Sequence, residues 1–395
     1  MKICVYNRPA GSSIGGCEYA AAVLAEALAE THEVDFVHHR PGLTAEQLAN
    51  NSGLDLGGVG VRYFEPAEPA RVGGSNLWRR FQEAKRWQAE LSEPYDLFIN
   101  FTFDTPPFCH ARTGVLVVTF PFFDRAETWP WNEPASLGDS LLRKSVRRVY
   151  YDWEWRKRFD TYQLKVSISR YTQVWSKRWW GIDSEVIYPP SNVDYDAAPK
   201  ARRILSVGRF TGVGHTKKQL ELVGAFRQMG CAQSEGWEYF CVGGLGGAPE
   251  DRAYFEHVRL MGAGRGAQVL ANLETPKLKR LYEESAVFWH AAGYGEDDRL
   301  HPELAEHYGI VTVEAMAAGC VPVVINKGGQ PEIVQHGVNG FLWNTLEELK
   351  EYTMLLARDE ELRTRMAAAA RARALSFSKQ EFVGHFLERL RPHLS

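Results

Sequence analysis

The sequence predicts an α/β protein made of two doubly wound domains, each a parallel sheet covered by helices. Short apolar runs alternate with longer amphipathic segments, which is typical of strand–helix repeats. The alternation is interrupted at two consecutive prolines, Pro189 and Pro190, and starts again after them. The 395 residues are enough for two domains of roughly 100–200 residues each.

Each half supplies its own set of strands and helices. In the first half we predict strands at Ile3–Tyr6, Val34–His38, Asp96–Phe101 and Val115–Phe120, with a helix at Glu18–Leu28. In the second half we predict strands at Arg203–Val207, Tyr239–Val242, Val287–His290 and Val321–Ile325, with helices at Lys217–Met229 and Gly309–Gly319. Strands separated by helices pair in parallel, and open sheets of this kind bind ligands at the carboxyl ends of their strands.

The domain boundaries follow from the stiff connector and from the last amphipathic segment. Two prolines force the chain into an extended form, so the first boundary is placed between residues 187 and 188. The second domain then covers residues 188–377. Residues 378–395 form a separate amphipathic helix. A cleft between the two sheets is the expected active site.

Composition excludes several classes of protein. Hydrophobic residues make up 45% of the chain and charged residues 24%, with a net charge of −3, so no overall field attracts nucleic acid. The six cysteines are scattered without C-x-x-C spacing, which indicates reduced thiols and neither a disulfide framework nor a zinc site. Without a signal peptide or a long apolar run, we expect a cytoplasmic enzyme.

Three segments carry residues suited to binding phosphate and sugar. Gly15 and Gly16 lie between a strand and a helix, where backbone amides can approach phosphate, although a plain turn is an equal alternative. Arg209 follows a strand and Lys217 opens the next helix, so both are expected to reach one pyrophosphate. Alternatively both are solvated surface cations, and Lys218 competes with Lys217 for the role.

The segment from Glu306 to Glu314, E-H-Y-G-I-V-T-V-E, is the most informative. Gly309 begins a helix whose first amides form an anion site, and a carboxylate lies on each side of it. Glu314 as an ordinary surface acid is the alternative. The neighbouring apolar residues argue against this, because a buried acid needs a partner.

This segment and its continuation A-M-A-A-G-C-V-P-V-V resemble the E-x7-E signature of the retaining glycosyltransferases of family 4, which have the GT-B fold. Further matches are Gly15–Glu18, Ser206–Phe210, Lys217–Phe226, Gly328–Glu332 and His336–Gly340. The resemblance implies an acceptor domain at 1–187, a nucleotide-sugar domain at 188–377 and a final helix that packs back on the first domain.

The resemblance also implies roles for single residues. Arg209 and Lys217 would bind the donor diphosphate, Glu306 the transferred sugar and Glu314 the ribose. Other expected donor contacts are Gly15, Gly16, His290, Tyr308, Gly309 and Ile310. The family needs no obligate metal or other cofactor, since its cationic side chains balance the developing charge. The implied partners are a nucleotide sugar and a sugar or lipid-linked acceptor.

One departure concerns the acceptor side. Many family members have a histidine after the strand matching Val115–Val118, whereas this chain reads T-F-P-F-F-D-R. Thr119, Phe120 and Asp124 take that neighbourhood. Together with Tyr188-Pro189-Pro190, the T-F-P segment is similar to the branch that contains the α-1,2-mannosyltransferase of lipid-linked oligosaccharide assembly, which favours GDP-mannose over a UDP-sugar.

Two further segments have a functional and an ordinary interpretation. Residues 141–159 mix basic and aromatic side chains and suit the inner face of a membrane, or they form a solvated helix packed on its own domain. Glu296, Asp297, Asp298 and His301 lack metal-ligand spacing and more readily shape donor or acceptor choice. Alternative activities for the whole chain are a GT-B epimerase or phosphorylase, or a catalytically silent nucleotide- or carbohydrate-binding module.

Overall fold

The computed structural model describes residues 1–8, 15–66, 77–121, 153–230, 235–264 and 266–394, with the backbone alone for residues 77–81. The chain divides into two compact units. The first contains Met1–Pro189 and Phe382–Ser395, and the second contains Pro190–Glu381. The boundaries predicted after residues 187 and 377 lie two and four residues earlier than those of the structure.

The first unit is built on a parallel sheet of seven strands in the order β3-β2-β1-β4-β5-β6-β7. The strands are β1 (Lys2–Asn7), β2 (Glu33–His38), β3 (Val59–Tyr63), β4 (Leu97–Thr102), β5 (Thr113–Val118), β6 (Leu164–Ser167) and β7 (Glu185–Val186). The helices are α1 (Gly16–Ala29), α2 (Ala45–Ser52), α3 (Leu77–Ser92) and α4 (Arg170–Trp175), which continues into a π-helical turn at Ser176–Trp180. Residues 153–160 are also helical.

The last helix, α12 (Lys379–Leu390), completes the core of the first unit. Phe382, Phe386 and Leu390 are buried with the apolar residues of β1, β4 and α1. A short 3₁₀ turn, Arg391–His393, follows. The prediction that the final helix packs back on the first domain is therefore confirmed, and the apolar face of this amphipathic helix is the physical reason.

The second unit has a parallel sheet of six strands in the order β10-β9-β8-β11-β12-β13. The strands are β8 (Ala201–Val207), β9 (Glu238–Gly243), β10 (Ala267–Ala271), β11 (Ser285–His290), β12 (Val321–Ile325) and β13 (Phe341–Trp343). The helices are α5 (Gln219–Gln228), α6 (Pro249–Gly262), α7 (Thr275–Glu284), α8 (Ile310–Ala317), α9 (Gln330–Ile333), α10 (Leu346–Arg358) and α11 (Glu360–Ala374), with 3₁₀ turns at Pro302–Leu304 and Leu375–Phe377.

The strand orders are those of doubly wound sheets, so the predicted fold class is confirmed for each unit. In both sheets the order reverses beside the first strand of the unit. In the second unit the reversal lies between β8 and β11, which are paired in parallel. The crevice outside their carboxyl ends is where a sheet of this type binds ligands.

Several predicted elements differ from the structure at their ends, and two of these differences bear on site residues. Helix α5 begins at Gln219, two residues later than predicted, because Lys218 has a left-handed backbone (φ 57°) that a continuing helix cannot contain. Lys217 therefore belongs to the loop before the helix. Strand β5 ends at Val118, so Thr119 and Phe120 follow the strand. The five described cysteines form no disulfide.

Candidate nucleotide-sugar site

The reversal point of the second sheet brings two distant loops together. The loop after β8 carries Lys217, and the loop after β11 carries Glu306. Lys217 Nζ lies 2.7 Å from Glu306 Oε2, across 89 residues of sequence. The stem of Lys217 passes over Gly208, where an added Cβ would lie 2.7 Å from Lys217 Cγ. A glycine at the end of β8 is what allows the lysine to cross the strand end.

The backbone around Glu306 is held by close packing against the loop that follows β12. The amide of Gly329 donates to the carbonyl of Glu306 at 2.7 Å. Gly328 has φ 61°, and a Cβ there would lie 2.1 Å from the Glu306 carbonyl oxygen. At the start of α8, Gly309 has φ 120°, and a Cβ would meet the side chain of the buried Gln330. Only glycine tolerates these conformations and contacts. They let the backbone of Glu306 and the start of α8 pack closely against the loop after β12.

Glu306 is ionised in this environment. Burial alone would raise the pKa of its carboxyl, since it is only 15% exposed. The charge of Lys217 and a hydrogen bond from His290 oppose burial and hold the pKa well below its ordinary value. The result is a fixed carboxylate beside a fixed ammonium at the end of the sheet.

His290 is the last residue of β11, and its imidazole contacts the carboxylate of Glu306. Its Nε2 lies 3.0 Å from Glu306 Oε2, and the side chain is 3% exposed. Burial lowers the pKa of His290. A neutral imidazole that donates to a carboxylate has its proton on Nε2, so Nδ1 is an acceptor. Nδ1 is buried and has no hydrogen-bond partner among the described residues.

Two more histidines surround the pair. The rings of His215 and His307 lie 5.2 Å apart at 32°. Burial, with the nearby charge of Lys217, lowers the pKa of His215 to about 3, and burial lowers that of His307 to about 4. His215 Nε2 lies 3.5 Å from Lys217 Nζ. Both rings are therefore neutral at physiological pH and add polar surface without adding charge.

The two neighbouring lysines point to different partners. Lys218 Nζ lies 2.5 Å from Glu296 Oε1, and Lys327 Nζ donates to the carbonyl of the same glutamate. The left-handed backbone of Lys218 separates the directions of the two lysine side chains. Lys217 alone of the two meets Glu306, while Lys218 ties the loop after β8 to the acidic loop after β11.

Arg209 also lies at the carboxyl end of β8. It is exposed, and its carbonyl accepts from the side chain of Gln219 at 3.0 Å. Among the residues that the structure describes, its guanidinium has no ion pair. A cation held near the strand end without an acidic partner is available to an anionic ligand.

Helix α8 carries Glu314 about one turn after its start, with Thr312, Val313, Ala315, Met316 and Ala317 buried around it. The hydroxyl of Tyr282 donates to Glu314 Oε2 at 3.1 Å. Burial raises the pKa of Glu314 to about 7, and the Tyr282 hydrogen bond acts in the opposite direction. The partner that this acid needs is thus the buried Tyr282.

The carboxyl end of α8 is capped by cations from other parts of the unit. Lys200 Nζ donates to the carbonyl of Ala318 and to that of Glu283, both at 2.6 Å. Arg371 Nε donates to the carbonyl of Ala317 at 2.9 Å. These contacts satisfy carbonyls that the helix leaves free and complement its negative end. The opposite, amino end of the helix follows Gly309, and the helix dipole makes it the end that favours an anion.

The other residues predicted to contact the donor differ in their burial. Ile310 is half-buried at the first position of α8. Tyr308 is 2% exposed, and its ring lies 5.9 Å from that of Phe377, so its side chain belongs to the core. In the first unit, Gly15 is the residue before α1 and Gly16 its first residue. The structure brings Arg209, Lys217, His290, Glu306 and Gly309 to the carboxyl end of the second sheet, while Glu314 lies further along α8, against Tyr282.

The predicted acceptor-side residues have structural partners in the first unit. Thr119 Oγ1 donates to the carbonyl of Thr102 at 3.2 Å. Phe120 is fully buried between Tyr171 and Trp179, with ring distances of 6.0 and 5.8 Å. Asp124 lies outside the described residues.

The basic aromatic segment is described only over residues 153–159. Trp155 is buried against Phe159 and Trp180, and Arg158 donates to the carbonyl of Pro106 and to Glu154. The packed-helix interpretation therefore accounts for the side chains of Glu154, Trp155, Arg158 and Phe159. Trp153, in contrast, is 56% exposed. No helix among the described residues is long and apolar enough to cross a membrane.

The acidic loop forms no metal cluster. Glu296 is paired with Lys218, and Asp297 caps its own turn by accepting from the amide of Arg299. The residues described by the structure contain no group of three or more potential metal-binding side chains. These contacts support a role for Glu296 and Asp297 in holding the shape of the loop.

Sequence reasoning missed three residues of the site. His215 lies 3.5 Å from Lys217, Tyr282 donates to Glu314, and Gln330 of α9 accepts from Thr312 of α8 at 3.0 Å. Gln330 was within the matched segment Gly328–Glu332, so the signal was present but carried no role. His215 and Tyr282 lie in the loop and helix preceding the matched elements, where spacing alone gives no indication.

Comparison with known proteins was made for the sequence and the structure. Residues 192–373 match the family model of glycosyl transferases group 1. The matched stretch covers the second unit from β8 to α11 and includes Arg209, Lys217, Glu306 and Glu314. The second unit is therefore similar to the domain that this model describes.

The chain is similar to curated mannosyltransferases. It is 24% identical over 295 residues to the GDP-Man:Man(3)GlcNAc(2)-PP-Dol alpha-1,2-mannosyltransferase of Dictyostelium discoideum, covering 68% of this chain and 55% of the relative. It is 26% identical over 230 residues to the human alpha-1,3/1,6-mannosyltransferase ALG2, covering 51% of each. The chain thus spans about half the length of these relatives.

The structure is similar to solved GT-B glycosyltransferases. The Anabaena protein HepE in complex with UDP and glucose superposes with a TM-score of 0.71 at 19% identity, covering 99% of this chain and all of that one. WaaG, a glycosyltransferase involved in lipopolysaccharide biosynthesis, superposes with a TM-score of 0.62 at 14% identity over 98% of both chains. At these identities the likeness shows the fold, and the predicted GT-B architecture of two Rossmann-like domains is confirmed.

Proposed function

We propose that this protein is a retaining glycosyltransferase that moves a hexose-type sugar from a nucleoside diphosphate sugar to a hydroxyl acceptor, without an obligate metal. The observation that carries the proposal is the contact of 2.7 Å between Lys217 and Glu306 at the reversal point of a doubly wound sheet. A fixed cation and a fixed carboxylate there suit a diphosphate and a sugar hydroxyl, respectively.

The chemistry follows from where charge develops. The bond from the anomeric carbon to the diphosphate oxygen breaks, a bond to the acceptor oxygen forms, and the hydroxyl proton of the acceptor passes to the departing diphosphate. Lys217, Arg209 and the amides at the start of α8 would stabilise the diphosphate, while Glu306 would hold the sugar. Glu314 would accept a hydrogen bond from the ribose. These fixed charges act where a divalent cation acts in other transferases.

Two donors are supported by different relatives. The name of the Dictyostelium relative includes GDP-mannose, and HepE was also solved with UDP-glucose. Both are nucleoside diphosphate hexoses, and the diphosphate site proposed above serves either. The acceptor is a glycan, a glycolipid or another hydroxyl compound in the cytoplasm. A lipid-linked acceptor would bring the protein to the inner face of a membrane, where the exposed Trp153 suits the interface.

Donor hydrolysis and transfer test the proposal. Wild-type protein is incubated with GDP-mannose or UDP-glucose, with and without EDTA, and nucleoside diphosphate release is followed by chromatography. We expect slow release with one donor, faster release with a hydroxyl acceptor, and no loss with EDTA. Proton NMR of the product should show the anomeric configuration of the donor.

The two neighbouring lysines provide a matched control. Lys217→Ala should lower kcat by about 10²–10³-fold, the usual effect of removing one charge-stabilising donor. Lys218→Ala, which removes the partner of Glu296 instead, should retain turnover within a few-fold of wild type. Equal loss in both variants would count against the role of Lys217, and wild-type protein that releases no diphosphate from either donor would contradict the proposed function.

A further inference from the structure

The buried imidazole of His290 is in contact with the carboxylate of Glu306. Its Nε2 lies 3.0 Å from Oε2 of Glu306, and only 3% of the side chain is exposed. A ligand therefore has almost no surface of this ring to touch. Any influence of the imidazole on a bound donor must pass through the glutamate.

We infer that His290 is a positioning residue that keeps Glu306 ionised and fixes which of its oxygens faces the sugar. The inference rests on the proposed function and assigns His290 a role other than direct donor contact. Oε2 of Glu306 accepts a hydrogen bond from His290 Nε2 and another from the ammonium of Lys217. The second oxygen, Oε1, is left as the acceptor for a sugar hydroxyl.

Titratable groups from three parts of the second unit surround Glu306 and favour its ionised form. Lys217 and His215 approach from the loop after β8, His290 from β11, and His307 is the next residue in the chain. Lys217 is the positive charge of the set, and burial keeps the three imidazoles neutral. A neutral imidazole can donate one hydrogen bond without cancelling the negative charge that the sugar needs.

Loss of the His290 proton donor has a defined consequence. Burial then acts on Glu306 with only Lys217 and the more distant His215 against it, so the pKa of the carboxyl rises. The acid limb of the pH–kcat profile reports this ionisation, because a protonated Glu306 no longer accepts from the sugar in the same way. The donor KM depends mainly on the diphosphate contacts and changes less.

Four variants test the inference in the full chain. His290→Leu removes the donor, His290→Gln keeps an N–H near the place of Nε2, and His290→Asn keeps one near the place of Nδ1. His257→Gln is the matched control, because His257 is an exposed residue of α6 in the same unit. For each we would measure the pH dependence of kcat and of donor KM for nucleotide-sugar hydrolysis, together with the melting temperature.

The expected results are specific for each variant. In His290→Leu and His290→Asn, the acid limb should move to higher pH by at least about one unit, so that kcat measured on the wild-type limb falls by about 10-fold or more, with donor KM within about threefold of wild type. His290→Gln and His257→Gln should keep the wild-type limb. If the leucine variant does not fold, the comparison of glutamine with asparagine tests the same point.

Two results would overturn the inference. One is an unchanged acid limb in both His290→Asn and His290→Leu. The other is a large rise in donor KM with the limb unmoved, which would make His290 a direct ligand contact. Neither touches the proposed function, which fails separately if wild-type protein does not turn over a nucleotide sugar.

Discussion

The ammonium of Lys217 lies 2.7 Å from the carboxylate of Glu306, with the two side chains only 19% and 15% exposed. The charge of Lys217 offsets the burial of the Glu306 carboxylate. A donor diphosphate must therefore share or replace the carboxylate as the partner of Lys217. The ammonium has three protons, so it can keep Glu306 and contact phosphate at once.

The coupling of this pair can be measured as stability. Lys217→Met and Glu306→Gln should each lower the free energy of unfolding by about 1–2 kcal/mol, since each leaves a largely buried charge without its partner. The double variant should lose less than the sum of the two, because neither charge is then present. Urea unfolding of the four proteins at pH 7 gives the coupling energy. Additive losses would show that the two charges do not interact in solution.

Glu314 makes stability depend on pH. Its pKa is raised to about 7, so between pH 4.5 and 7 the folded protein binds more protons than the unfolded chain. Stability from this group is present at low pH and is lost as pH rises through 7. Glu314→Gln should raise the free energy of unfolding at pH 8 by up to about 3 kcal/mol, and give little change at pH 5. Unfolding curves at the two pH values test this.

The same variant should weaken donor binding, because a neutral amide is a poorer acceptor for a ribose hydroxyl than a carboxylate. A loss of affinity of about 10-fold with a gain of stability at pH 8 would separate function from folding. Equal affinity for the wild type and Glu314→Gln would contradict the ribose role of the acid.

Gly309 is the point where the backbone requires a glycine. Gly309→Ala should destabilise the second unit by about 1–3 kcal/mol, because φ is 120° and a Cβ would lie 2.5 Å from Gln330 Nε2. The control is Gly384→Ala, at a helical position in α12 with nothing within 4 Å of an added Cβ. That variant should be neutral or stabilising by about 0.5–1 kcal/mol. Thermal unfolding of both variants suffices, and equal effects would mean that Gly309 is not constrained.

Lys200 holds the carboxyl ends of α7 and α8 through two contacts of 2.6 Å. Lys200→Met keeps the length of the side chain and removes the charge, so we expect a loss of about 2–3 kcal/mol in the free energy of unfolding. Lys277→Met removes the exposed ion pair with Glu274 and should cost less than about 0.5 kcal/mol. A Lys200 variant as stable as the Lys277 variant would rule out the capping role.

Much of the fold could be predicted because its signals are local. The strands β1, β8, β11 and β12 are apolar runs, and the glycine at 309 marks the start of α8 in the sequence itself. The final helix was predictable from its amphipathic pattern and the resemblance. The short strands β7 and β13 carry few residues and gave no recognisable period.

The site was predictable in its residues but not in its contacts. Spacing indicated Glu306, Glu314, Arg209 and Lys217 as candidates. It could not show that Lys217 meets Glu306 while Lys218 meets Glu296, since this depends on one left-handed residue at the start of α5. Nor could it place Phe120 in the core, because the strand before it ends two residues earlier than its apolar run.

The binding of a nucleoside diphosphate tests the central claim most directly. Wild-type protein, Lys217→Ala and Lys218→Ala are titrated with UDP, GDP and ADP, and the melting temperature is followed. We predict that one diphosphate raises the melting temperature of the wild type saturably and that of Lys218→Ala by a similar amount. Lys217→Ala should bind it at least 10-fold more weakly. No stabilisation of the wild type by any of the three would contradict the account.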